Sequence, residues 1–176
     1  MSNMFARTSK LSAAFGWFVS LMFGQAPTSP VDLIGKVTSA LEGRDQEALA
    51  TLTITKAEFK EYVWPTLVLT RLTGDEKDLD RFYSQYRTES DAAMASLLQH
   101  YAGQKLRVVR IAILTDRVVP SKKKKEKPTP QRYELLGGPN VTVRHEDGHE
   151  EVIRLVGGML QHDGIWHVTT YEMAPN

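Results

Sequence analysis

Cysteine is absent from all 176 residues. That excludes disulfides, thiolate nucleophiles, cysteine-ligated metals and a lipidated N-terminal cysteine. A surplus of either charge is missing too: 22 basic residues face 21 acidic ones, for a formal charge of +1. Such balance leaves no electrostatic footprint for nucleic acid. No glycine-rich phosphate loop, Gly-x-Ser-x-Gly elbow or His-Glu-x-x-His helix is recognisable, so the common nucleotide-binding, serine-hydrolase and zinc-protease signatures do not apply. What remains is a chain with 41% hydrophobic and 24% charged residues, a balance that permits one domain with a substantial core and argues against global disorder.

The first 26 residues stand apart. Arg7 and Lys10 precede an almost unbroken apolar stretch over 11–23, and no acidic residue occurs before Asp32. The stretch has the length of a signal-peptide core and falls short of the ~20 residues of a membrane span. Gly24-Gln25-Ala26 offers small residues at the expected cleavage positions, but Pro27 would follow the cut. Residues 1–26 are therefore expected to be a signal peptide or an uncleaved N-terminal anchor, with 27–176 forming one domain. The expected location is periplasmic or secreted, with membrane attachment only if the leader stays.

Beyond the leader, Leu33, Ile34, Val37 and Leu41 share one helical face, with Pro30 in the first turn and Gly43 as a stop. Asp45 is placed to cap a second short helix carrying Ala48, Leu49 and Leu52. Thr55 and Glu58 have capping-box spacing at the start of a third, which Pro65 ends. Residues 76–101 form the clearest helix, with Leu79, Phe82, Tyr83, Tyr86, Met94, Leu97, Leu98 and Tyr101 recurring every three or four positions. From residue 106 the pattern turns to strand. A long strand is expected over 106–119, a solvated lysine-rich loop over 121–130 and a short strand over 133–136. Two hairpins then follow, around Asp147-Gly148 and Asp163-Gly164. The order predicts an α+β domain, N-terminal helices packed on a curved, mostly antiparallel, cone-like sheet.

At this point the chain resembles the NTF2-like superfamily of SnoaL type. The resemblance rests on residues 31–52 (helix, Gly43-Arg44-Asp45, helix) and on the ending Asp163-Gly164-Ile165-Trp166-His167-Val168. It spans about Val31 to Met173, and the long helix over 76–101 departs from the usual family order. Membership implies the cystatin-like cone and its pocket, while leaving the chemistry open among enzymes, binding proteins and assembly modules.

Several residues are candidates for that pocket. Tyr62, Trp64, Tyr83 and Tyr86 are aromatic and suit a flat, partly apolar ligand, although the same spacing suits a helical core. His167 could orient a ligand or act as acid or base if its strand face is concave. Simple alternation groups it with Thr169 and Tyr171, opposite Trp166, Val168 and Thr170. Catalysis would need a carboxylate in reach, and the strand half offers no apolar-embedded Asp or Glu, which weighs against an enzyme. His145 and His149 become cross-strand neighbours only with a three-residue loop, and an exposed hairpin tip with two imidazoles makes a poor metal site. The expectation is an exported, non-catalytic small-ligand-binding or assembly module of the cell envelope, without cofactor or metal. The alternatives are a small isomerase- or hydrolase-type enzyme using His167, and a structural homodimer paired through its sheet.

Overall fold

A computed structural model describes residues 25–67, 76–113 and 133–173. The leader through residue 24, the far part of the first expected strand (114–119) and the lysine-rich loop lie outside the described residues. No helix among the described residues is long and apolar enough to cross a membrane.

Helix α1 spans Pro30–Glu42, and α2 spans Gln46–Thr51. Ser29 caps α1 by accepting the Asp32 N–H, and Pro30 sits at the first helical position, where its missing N–H is harmless. Leu33, Ile34, Val37 and Leu41 are all fully buried. The stop differs in detail from expectation. Gly43 is the C-cap but keeps a right-handed backbone, and Arg44 takes the left-handed conformation, at φ 57°. Asp45 then caps α2 through the Ala48 N–H at 2.8 Å.

The third helix is not regular. Only Lys56–Glu58 (α3) is α-helical; a π-helical turn follows at Phe59–Val63 and a 3₁₀ turn at Trp64–Thr66. Pro65 lacks the N–H that a continued α-helix requires, and the helix changes pitch before it. Helix α4 runs Glu76–Tyr101, the span its periodicity predicts.

Six strands follow: β1 Arg107–Ala112, β2 Tyr133–Gly137, β3 Asn140–Arg144, β4 Glu150–Ile153, β5 Val156–His162 and β6 Ile165–Tyr171. They form two three-stranded antiparallel sheets, ordered β1-β3-β4 and β2-β5-β6. The sheets share their chain paths. Only Gly138-Pro139 separates β2 from β3, and only Arg154-Leu155 separates β4 from β5. A long hairpin thus passes from one sheet to the other at a bend. A Cβ on Gly138 would collide with the Val156 carbonyl, so the bend requires glycine there.

Sheet β2-β5-β6 carries a core on each face. One joins Leu33, Ile34, Leu41, Met94, Leu97, Met159, Trp166 and Val168, among others. The other joins Ile54, Phe59, Val63, Trp64, Leu79, Leu135 and Leu160. Helix α4 serves both, the first half through Leu79 and the second through Met94, Leu97 and Tyr101. Between them Ser90, 1% exposed, accepts the Tyr171 N–H of β6 at 3.1 Å. Other outward groups of this edge strand are met as well: Trp166 N–H by the Pro27 carbonyl at 2.8 Å and Val168 N–H by the Leu52 carbonyl at 2.8 Å. The edge is thereby closed to pairing with another chain.

Candidate functional site

The site is assembled by the β5–β6 hairpin. Asp163 and Gly164 both adopt positive φ, 48° and 82°, and His162 pairs with Ile165 across this two-residue turn. That is the turn an Asp-Gly pair favours between twisted strands. The register also pairs His167 with Leu160, so His162 and His167 are diagonal neighbours on the face that carries Leu160. Their rings stack with centroids 5.1 Å apart. Tyr133 of β2 pairs with His162 from the other side. Tyr62, from the π-helical turn, lies against both, 5.2 Å from His162 and 5.0 Å from Tyr133. Tyr133, Tyr62, His162 and His167 thus form a continuous row of rings.

The carboxylate comes from the helical half. Glu58 completes a capping box with Thr55: the Thr55 N–H donates to Glu58 Oε2 at 2.6 Å, and the Glu58 N–H donates to Thr55 Oγ1 at 3.2 Å. This fixes the other oxygen, Oε1, which lies 2.6 Å from His162 Nε2 and 3.8 Å from His167 Nε2. The three side chains are 17–20% exposed. The carboxylate that pairs with these histidines is thus absent from the strand half, as expected, and comes instead from a helix cap; the capping-box spacing is legible in the sequence, but not the direction of its free oxygen.

Electrostatics set the roles. Burial raises the Glu58 carboxyl, but its hydrogen bonds with Thr55 and His162, and the charge His167 carries once protonated at acidic pH, outweigh this and hold it below the usual carboxylate value. The ionised carboxylate accepts, so His162 Nε2 donates. Burial depresses His167; Glu58 pulls it up and His162 pushes it down, leaving it below the ordinary histidine value. At neutral pH His167 is therefore largely an uncharged imidazole. His162 Nδ1 is buried without a hydrogen-bond partner, and Asp163 Oδ2 stands 3.6 Å away.

His167 also borders an open groove of about 570 Å³ between α1, α2 and the start of β6, whose walls include Pro27, Ala40, Ala48, Leu52 and Trp166. The volume falls within the range of small-molecule sites.

The other candidates lie elsewhere. Tyr83 and Tyr86 pack around Phe59, at 5.3 and 5.0 Å, and Trp64, 8% exposed, packs against Phe59 and Phe82. These three belong to the second core; of the helical aromatics, Tyr62 alone joins the histidines. Tyr171 does not share the surroundings of His167 as simple alternation would have it. Register shifts around Gly158 break the alternation, and Tyr171 joins the core of Trp166 and Val168.

His145 and His149 meet across a three-residue loop, with Gly148 at φ 87°, and their rings lie 5.8 Å apart. The run from His145 to His149 spells the zinc-protease letters, yet it forms a turn instead of a helix. His145 Nε2 lies 3.1 Å from Glu151. Among the described residues, however, Glu58, His162 and His167 are the one group of three with ligand atoms close enough to share an ion.

No protein-family model, curated protein or solved structure matches the chain.

Proposed function

We propose that the chain is an exported small-ligand-binding domain with the curved, cone-like sheet of the NTF2-like class. The ligand occupies the groove beside His167. The observation that carries this reading is the mostly apolar open groove of about 570 Å³ between α1, α2 and the start of β6, with His167 among its bordering residues. Apolar walls from Pro27, Ala40, Ala48, Leu52 and Trp166 offer contact area, and polar residues such as Ser39, Asp45 and Thr51 offer groups to orient a ligand, the usual make-up of a small-molecule site. The basic, then apolar, composition of residues 1–26 supports export to the periplasm or beyond, with the leader either removed or kept as an anchor.

The experiment is a titration of the purified chain with 1-anilinonaphthalene-8-sulfonate, a flat, partly apolar probe. Saturable binding that weakens at least several-fold in Ser39→Tyr, which narrows the groove, supports the reading. Absence of binding, or binding unaffected by Ser39→Tyr, overturns it.

A second reading is favoured by Glu58 beside two histidines. In it His167 acts as a base toward the bound ligand and Glu58 stabilises the resulting imidazolium. Here His167→Ala abolishes turnover of an isomerisable or hydrolysable ligand while binding persists; turnover that survives the substitution rules it out. Pairing of two copies through the sheet draws only thin support, from Val109 and Val152 at 45% and 55% exposure on β1-β3-β4. A monomer by light scattering at high concentration would exclude it.

A further inference from the structure

We propose that Glu58, His162 and His167 form a binding site for a first-row divalent transition metal of the zinc class. Nothing in this inference depends on a ligand in the groove. It rests on donor type, spacing, rigidity and one unpartnered atom.

The donors are two imidazole nitrogens and one carboxylate oxygen. That set suits zinc and its first-row neighbours and does not suit calcium or magnesium, which take oxygen ligands. All three donor atoms lie within 4.8 Å of one another. The two separations from Glu58 Oε1, 2.6 and 3.8 Å, bracket the donor–donor edge of about 3.3 Å expected for bonds near 2.0–2.1 Å in a tetrahedron. Side-chain shifts of about 0.5–0.7 Å would equalise them. Three protein ligands leave a fourth position for water or a ligand atom.

The donors are also held in place. The two histidines are set by the register of a two-residue hairpin, and Glu58 is set by its capping box, which occupies Oε2 and leaves Oε1 for the ion. Tyr62 stacks on His162 and restrains its ring. A metal-binding histidine usually donates its second N–H to a carboxylate or carbonyl. His162 Nδ1, buried and without a hydrogen bond, faces Asp163 Oδ2 at 3.6 Å. A shift of about 0.7 Å would bring that pair to hydrogen-bond length. A hydrogen bond between Glu58 and His162 alone gives no reason for the second imidazole stacked on the first, nor for Asp163 beside its Nδ1.

The test uses the full chain, freed of metal by dialysis against a chelator and titrated with zinc in competition with a chromogenic chelator. One equivalent should bind with Kd in the micromolar range or tighter. Cobalt(II) in its place should show the visible bands of a low-coordinate site. Glu58→Gln keeps an acceptor for the Thr55 N–H, because glutamine also serves in a capping box, so it preserves the fold while removing the anionic ligand. It and His167→Gln should each weaken zinc at least ~100-fold, and Asp163→Asn about 10-fold. His145→Gln should leave affinity unchanged. Absence of stoichiometric zinc binding overturns the proposal, as does affinity unchanged in both Glu58→Gln and His167→Gln with native circular dichroism, or affinity lost in His145→Gln.

Discussion

Glu58 holds helix α3 with one carboxylate oxygen and His162 with the other, at 2.6 Å from each partner atom. A residue whose local job is to cap a helix thereby ties that helix to a hairpin more than a hundred positions away.

Removing both contacts should cost more than removing the charge alone. Glu58→Ala strands the Thr55 N–H and the His162 Nε2–H, and should lower stability by about 1–3 kcal/mol. Glu58→Gln retains an acceptor for Thr55 and should lose about 1 kcal/mol or less. Urea unfolding of the two variants against the parent measures the difference, and equal losses would mean that the shared cap contributes nothing.

Ser90 marks the place where α4 crosses the edge of β6. Ser90→Ala leaves the Tyr171 N–H buried without its acceptor, so stability should fall by about 1–3 kcal/mol although little volume changes. Hydrogen exchange at the Tyr171 amide should accelerate in the same variant.

Two glycines make opposite predictions. Gly35 lies in α1 with nothing within 4 Å of the position its Cβ would occupy; Gly35→Ala should stabilise by about 0.5–1 kcal/mol through helix propensity. Gly138 faces the Val156 carbonyl at the bend, and Gly138→Ala should destabilise by about 1–3 kcal/mol as the strands are forced apart. Thermal melts of the pair read both signs at once.

Tyr101 predicts behaviour at high pH. Burial, then the Glu151 charge and the hydrogen bond its hydroxyl donates to Glu151 at 3.2 Å, push its phenol up to about 12. Burial raises Tyr171 further in the same direction. The fold favours the protonated phenols. Their contribution is therefore complete below the unfolded value of about 10 and is lost as pH rises from there through the folded values. Tyrosinate absorbance should appear later in the native chain than in urea, and Tyr101→Phe should flatten the decline of stability between about pH 10 and 12.

Much of the fold was legible because local rules decided it. Periodicity gave α4 with its bounds, the Asp45 and Thr55 caps sit where their spacing put them, and both Asp-Gly turns form. The π-helical turn was not legible: Phe59 and Trp64 fit a regular helix on spacing alone, and Pro65 predicts only that the helix ends. The site was half legible. His167 was visible just after the Asp163-Gly164 turn, but its stacking on His162 depends on a two-residue loop and on register. Glu58 reaches them through tertiary packing that no spacing encodes. Tyr133 enters by strand pairing with His162, across a chain separation too long for local pattern to report.

Whether the groove beside His167 holds a ligand is read by native mass spectrometry of the full chain purified gently from its own source. The account predicts a reproducible added mass of an organic molecule, lost in Ser39→Tyr and distinct from any metal adduct, which Glu58→Gln removes instead. A chain that carries no organic mass, and takes up no 1-anilinonaphthalene-8-sulfonate when offered it, would contradict a ligand-binding domain.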